Sequence, residues 1–194
     1  MPRFPIPREA LADYEPRLVT GDGDTSAAVA AIFHDVPDDP RLLFIERARR
    51  DGDPWSGDLA FPGGRAEPGD ADVHDTAERE TLEEIGWSLA GASRLGRLDD
   101  MAANVLPMTV SACVYAIDAL QPPHLSSEVV DLFWVPVADL CAPERRTTHI
   151  RRRHDEEQQF HALNLLGTGR PLLWGVTYRF VSDLMRFFGH ELPN

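Results

Sequence analysis

Three glutamates fall within the short stretch Arg79-Glu80-Thr81-Leu82-Glu83-Glu84. At about 100° per residue, a helix through it gathers Glu80, Glu83 and Glu84 into one sector. Carboxylates so placed repel one another by about a few tenths of a kcal/mol per i,i+4 pair. Arg79 can offset part of this by reaching Glu83. Such a cluster suits a hard divalent cation, because Mg²⁺ takes oxygen ligands and retains waters and substrate phosphates. A water on such a cation has a lowered pKa, and a carboxylate in reach can take its proton. The same spacing also describes an acidic face turned to solvent, so the helix alone leaves both readings open. The segment before it adds weight to the first. In Phe61-Pro62-Gly63-Gly64, glycine lets a backbone carbonyl or N–H approach a metal or phosphate with no side chain between.

The elements that must position these residues can be read in outline. Residues 7–18 form a helix opened by Pro7, within a helical N-terminal extension of about 1–22. Residues 26–33 and 41–46 read as strands separated by a Pro/Asp turn. Residues 49–58 read as a loop. Residues 59–61 are a short strand stopped by Pro62-Gly63-Gly64. A second loop, 65–72, leads into a helix over 73–86 that stops at Gly86. Strands follow near 94–100, 108–117 and 129–135. A short helix begins at Pro136, and the polar stretch 142–172 holds two short strands. A last amphipathic helix covers 173–188, with Val176, Phe180, Leu184 and Phe187 at helical spacing. Strands and helices in this order predict an α+β or α/β mixed fold, a mixed sheet with helices packed on it, in a single domain over 1–194.

Composition narrows the function. The chain has 194 residues, 43% of them hydrophobic, and a net charge of -13. That charge argues against nonspecific nucleic-acid binding, which depends on Lys and Arg neutralising phosphates. A phosphorylated substrate remains compatible, because carboxylates hold phosphate through a shared cation. All 19 basic residues are arginine, so direct cationic contacts to phosphate must come from guanidinium forks. No apolar run approaches the ~18 residues of a membrane span, and the start lacks a signal-peptide core. The expectation is a soluble cytoplasmic protein without a membrane partner. Cys113 and Cys141 read as small core residues, and no histidine spacing suggests a metal site.

The stretch Gly64 … Arg79-Glu80-Thr81-Leu82-Glu83-Glu84-Ile85-Gly86-Trp87 resembles the Nudix box, G-x5-E-x7-R-E-U-x-E-E-x-G-U, with U a bulky aliphatic, here over residues 64–87. The R-E-x-x-E-E-x-G half matches in full. Thr81 and Trp87 replace the usual aliphatics. The gap from Gly64 to Arg79 is one residue longer than the general pattern, so Asp70 is the acid nearest the usual middle glutamate. The longer gap resembles the coenzyme A diphosphatase (NuCoA-type) branch. Upstream, Leu42-Leu43-Phe44-Ile45-Glu46-Arg47-Ala48 and Gly57-Asp58-Leu59-Ala60-Phe61-Pro62-Gly63-Gly64 resemble that branch's motif, L-L-T-x-x-R-[SA]-x3-R-x3-G-x3-F-P-G-G. Phe44 stands at the threonine, and the second arginine is out of register, with Arg49 and Arg50 coming early. Trp174-Gly175-Val176-Thr177 resembles the W-G-x-T that opens the branch's last helix.

The resemblance implies a Nudix fold and Mg²⁺- or Mn²⁺-dependent hydrolysis of a diphosphate in a small-molecule nucleotide substrate. Glu83 and Glu84 would be metal ligands, Glu80 a ligand or the base, and Arg79 would orient them. A Gly63 or Gly64 carbonyl would complete the shell, and Glu128, just before a strand, is the candidate for a later acidic ligand. Asp99 and Asp100 are weaker acid candidates, and Glu67, Asp70 and Asp72 suit either the loop or further metal. Arg47 and Arg65 are placed to meet phosphate, and Trp55 to stack on a base or pin its loop. Arg145, Arg146, Arg151, Arg152 and Arg153 form a basic patch that would meet a phosphate-rich substrate end or pair with Asp155, Glu156, Glu157 or a partner chain. The substrate expectation is coenzyme A or an acyl derivative. ADP-ribose, NADH and a noncatalytic nucleotide-binding regulator are the alternatives, and related enzymes commonly form homodimers.

Overall fold

The computed structural model describes residues 4–19, 25–52, 55–103, 108–153 and 156–193. In chain order the elements are α1 (Arg8–Ala12), β1 (Thr25–His34), β2 (Arg41–Arg47), β3 (Leu59–Ala60), β4 (Gly63–Arg65), α2 (Val73–Ile85), β5 (Ser93–Arg97), β6 (Met101–Ala103) and β7 (Met108–Ile117). Then come β8 (Val129–Pro136), α3 (Val137–Cys141), a 3₁₀ turn, β9 (Arg146–Arg153), β10 (Glu156–Leu163) and α4 (Gly175–Phe187).

The main sheet is mixed and runs β3-β2-β1-β7-β5, with β4 also on β1, β6 on β7 and β8 on β2. β1 and β7 are parallel over ten residue pairs; the other pairings are antiparallel. Along one edge β1 changes partner. Phe33 and His34 pair with β2, while Ala27, Ala28 and Val29 pair with Arg65, Gly64 and Gly63 of β4. The expected mixed sheet between helices is therefore present.

Strand alternation divides the core between the two faces of the sheet. Ala27, Ala31, Phe33, Leu42, Phe44, Ala112 and Val114 face the α4 side, where Phe180, Val181, Leu184 and Met185 complete the cluster. Ala28, Ala30, Ile32, Leu43, Ile45, Cys113 and Tyr115 face the α2 side, closed by Ala77, Ile85 and Trp87. Small side chains at Ala28, Ala30 and Ala77 let α2 lie close to β1. Both cysteines are buried and free. No helix among the described residues is long and apolar enough to cross a membrane.

Several expectations need correction. The N-terminal helix is only Arg8–Ala12, because Tyr14 and Arg17 are drawn out to Asp99: the Tyr14 hydroxyl and the Arg17 N–H both donate to its Oδ1. Residues 1–3 and 20–22 of the expected extension lie outside the described residues. The short strand ends at Ala60, before Pro62 as expected, but Gly63 and Gly64 are not part of the break. Gly63 and Gly64 form β4, because β1 offers a ladder that overrides glycine's weak strand preference. The strand after α2 stops at Arg97, and the 142–172 region holds a two-stranded hairpin of eight-residue strands.

Candidate active site

The site is assembled where β4 runs into α2. Asp72 caps the helix, its side chain accepting from the His74 and Asp75 N–H groups at 2.7 and 3.0 Å. Gly86 closes it in the left-handed conformation, φ 74. Thr81, fully buried where the motif has an aliphatic, donates its hydroxyl to the Ala77 carbonyl at 2.6 Å, so the substitution leaves no unpaired group in the core.

Each glycine of β4 meets one glutamate of α2. The Gly63 N–H donates to Glu84 Oε2 at 2.9 Å. Its φ of 153, with the Ala28 carbonyl and Val29 Cα where a Cβ would stand, admits no larger residue. Gly64 lies against Glu80, and a Cβ there would fall on the carboxylate. Arg79 is the hub. It donates to both oxygens of Asp70 at 3.0 and 2.9 Å, to Glu80 at 2.9 Å and to the Arg65 carbonyl at 2.8 Å, with Glu83 at 3.5 Å. Asp70 is held well below the usual carboxylate range, first by Arg79 and then by the Glu67 N–H. Asp70 therefore serves Arg79, and Asp72 the helix start.

The remaining charges follow from depth. Glu84 is 4% exposed. Burial pushes it up to about 7 against the Gly63 N–H and Arg47, with Glu80 and Glu128 raising it further. Arg47 Nη1 stands 3.9 Å from Glu84. Burial also raises Glu80, opposed by Arg79 and assisted by Glu83 and Glu128. Glu128 is brought in by the loop before β8, whose His124 and Ser126 N–H groups donate to the Ile85 and Glu84 carbonyls. Its own carboxylate pairs with Arg50 at 2.9 Å.

A hard divalent cation fits this set. The donors are oxygens, and acids that raise one another's pKa gain from a shared positive charge. Among the described residues, no three acidic, histidine or cysteine side chains stand close enough together to hold a metal ion by themselves.

Beside the glycines opens a cleft of about 1460 Å³, reached by Arg47, Arg65, Trp55, Arg151 and Trp174. Three arginines of the basic patch have separate surroundings. Arg145 is tied to Asp139 at 2.9 Å, Arg152 lies near Glu157 at 3.6 Å, and Arg151 lines the cleft. Asp155 lies outside the described residues, as do the side chains of Arg153 and Glu156. Asp99 and Asp100 are removed from this site. Asp99 binds Tyr14 and Arg17, and Asp100 accepts from Arg97, Ser111 and the Val19 N–H.

The NUDIX domain family model matches residues 24–156. The chain belongs to the Nudix family. It is 32% identical over 157 residues to the human mitochondrial coenzyme A diphosphatase NUDT8, covering 78% of this chain and 64% of that one. The resemblance to the coenzyme A diphosphatase branch is thus borne out. The chain is 33% identical over 163 residues to an uncharacterized Schizosaccharomyces pombe protein, covering 72% of this chain and 50% of that one. It therefore spans between half and two thirds of the length of these relatives. A MutT/nudix family protein from Enterococcus faecalis shares the fold at a TM-score of 0.56 and 15% identity, over 85% of this chain and 62% of that one.

Within this Nudix domain, sequence reasoning missed Asp58. Its Oδ1 accepts the Trp174 indole N–H at 3.0 Å, while its backbone carbonyl accepts from the Arg47 N–H at 3.0 Å. Burial raises its carboxyl against the pull of Trp174, His149, Arg151 and Arg47. Asp58 thus joins the end of β2 to the start of α4. The signal lay in two separate stretches, 57–64 and 174–177, whose contact no linear spacing reveals.

Proposed function

We propose that the protein hydrolyses a diphosphate linkage in a nucleoside diphosphate-X substrate, with coenzyme A or an acyl-coenzyme A as the best candidate. The observation that carries this reading is the pairing of two glycines with two glutamates, Gly63 with Glu84 and Gly64 with Glu80, around the Arg79 hub. An acidic face turned to solvent has no use for a 4%-exposed carboxylate or for an arginine locked by Asp70.

Glu80, Glu83 and Glu84 would hold Mg²⁺ or Mn²⁺, with a Gly63 or Gly64 carbonyl and Glu128 as further donors. Bound there, the cation would neutralise the diphosphate and lower the pKa of a water beside it. Glu80 is suited to take that water's proton, because burial raises its basicity. Arg79 fixes the Glu80 carboxylate at 2.9 Å. Arg47 and Arg65 supply forks for phosphate oxygens from the cleft, and Trp55, which lines it, would stack on a base. Water adds to one phosphorus, the bridging oxygen leaves with the other, and two phosphate monoesters result. From coenzyme A these are phosphopantetheine and adenosine 3′,5′-bisphosphate. The coenzyme A preference is supported by the human relative's name and by the stretch from Arg47 to Gly64. Residues 1–194 would work as one domain.

The test is a panel of coenzyme A, acyl-coenzyme A, NADH, ADP-ribose and dinucleoside polyphosphates, incubated with Mg²⁺ or Mn²⁺, products identified by mass. Cleavage of coenzyme A above the others supports the full reading. Preference for ADP-ribose or NADH keeps the chemistry and overturns the substrate. No cleavage of any overturns both in favour of a nucleotide-binding regulator.

A further inference from the structure

The far part of the cleft carries chemistry that diphosphate hydrolysis does not use. Antiparallel pairing of β9 with β10 sets His149 opposite Phe160 and Arg151 opposite Gln158, and directly paired residues share a face of the hairpin. That face meets Trp174, the residue before α4. The His149 ring stacks on the indole at 4.0 Å and 21°, Phe160 leans on it at 5.4 Å and 53°, and the Arg151 guanidinium lies over the ring, 5.7 Å from its centroid. Asp58 fixes the indole's rotation through the Nε1 hydrogen bond at 3.0 Å. Trp174, Arg151, Gln158 and Phe160 line the cleft, whereas His149 backs the indole without reaching it.

An indole packed against a stacked ring and a tilted ring and held at its N–H by a carboxylate is a rigid surface. Binding a flat ring there costs little ordering. Burial and Arg151 lower the His149 pKa, against the pull of Asp58. Arg151 forms no ion pair among the described residues, and Asp58, the acid beside it, is engaged by the indole N–H. Arg47 and Arg65 already stand at the glycine end of the cleft for the scissile diphosphate. A third guanidinium beside an aromatic surface suits a different anion, one attached to the same nucleoside as the stacked ring.

We propose that Trp174, backed by His149, and Arg151 form a subsite for a nucleoside that carries a phosphate on its ribose, the base stacking on Trp174 and the ribose phosphate meeting Arg151. The inference rests on the diphosphatase reading for what is cut, and it assigns which end of the substrate lies where. It makes Trp174 and Arg151 specificity-determining residues, with Asp58 and His149 positioning them.

The test is calorimetric titration of the whole chain with adenosine 3′,5′-bisphosphate and with adenosine 5′-monophosphate, without hydrolysis. Wild type is expected to bind the bisphosphate about tenfold more tightly, the worth of one charge-assisted contact. Arg151→Gln, at a half-exposed position, is expected to remove most of that preference. Trp174→Leu is expected to weaken both nucleotides by about tenfold, and Trp174→Phe, which keeps a ring, to restore most of the loss. An unchanged preference in Arg151→Gln, equal affinities in wild type, or no binding of either nucleotide overturns the subsite. If the preference collapses in Arg151→Gln while wild type cleaves no diphosphate, the subsite stands and the hydrolase reading falls. If coenzyme A is cleaved and the preference does not depend on Arg151, the reverse holds.

Discussion

Replacing Gly64 with alanine separates the geometry of the site from the stability of the fold. The added methyl would stand within 2.5 Å of both Glu80 carboxylate oxygens. Ordinary contact begins near 3.4 Å, so the carboxylate must retreat by about 1 Å. The Gly64 backbone needs no left-handed conformation, and the strain falls on the side chain. Retreat breaks the 2.9 Å Arg79–Glu80 hydrogen bond. Such a bond is worth about 1.5–3 kcal/mol when buried, and solvent at this partly open site reduces it to about 1 kcal/mol. A displacement of about 1 Å at a reacting group can cost a factor of about 10² in rate. Gly64→Ala should therefore unfold at nearly the wild-type denaturant concentration while kcat falls by about 10². Urea unfolding and turnover at saturating Mg²⁺ measure the two. Wild-type kcat in a folded Gly64→Ala protein would refute the placement of Glu80 at the chemistry. A stability loss well beyond 3 kcal/mol would refute the claim that the strain is local.

Three further outcomes follow from the same geometry. Asp72→Ala removes the two N-cap hydrogen bonds of α2 and should cost about 1 kcal/mol in urea unfolding. Ile85→Ala opens a cavity under the end of α2, where Ile85 is fully buried, and should cost about 2–5 kcal/mol. Asp99 is pushed up by burial but held lower overall by the Tyr14 hydroxyl and by the Arg17 N–H and guanidinium. A depressed acid contributes stability that is complete above its unfolded pKa, about 3.9, and lost as pH falls through its folded value. Amide protection at Arg17, corrected for intrinsic exchange, should therefore persist below about pH 4 and fall only as Asp99 is protonated in the folded protein, while Asp99→Asn should lose the pH dependence.

The sequence made legible what rests on local pattern. β7 spans Met108–Ile117 as read, and α2 ends at Gly86 because only the left-handed turn closes it there. The acids of the box were legible because helical spacing along the chain fixes that they share one sector of α2. Other features depended on partners distant in the chain or on segments with weak patterning. β4 forms because β1 receives Gly63–Arg65, and α1 stops short because Asp99 holds Tyr14 and Arg17. The β9–β10 hairpin is mostly polar and leaves Ile150 48% exposed, so its strands were expected only as short ones within 142–172. The roles of Asp58, His149 and Trp174 required the contact of three segments more than 80 residues apart at the extremes, with Trp174 and Asp58 separated by 116.

The central claim is that the carboxylates of α2 hold the cation on which cleavage of the diphosphate depends. Its most direct test is turnover of coenzyme A by wild type and Glu83→Gln, each with Mg²⁺ and with chelator, products identified by mass. Glu83 is 59% exposed and tied only loosely to Arg79, at 3.5 Å, so the substitution should leave the fold intact. The expected result is phosphopantetheine and adenosine 3′,5′-bisphosphate from wild type with Mg²⁺, and neither from the chelated enzyme or from folded Glu83→Gln. Wild-type turnover by Glu83→Gln, or turnover that survives the chelator, would contradict the account.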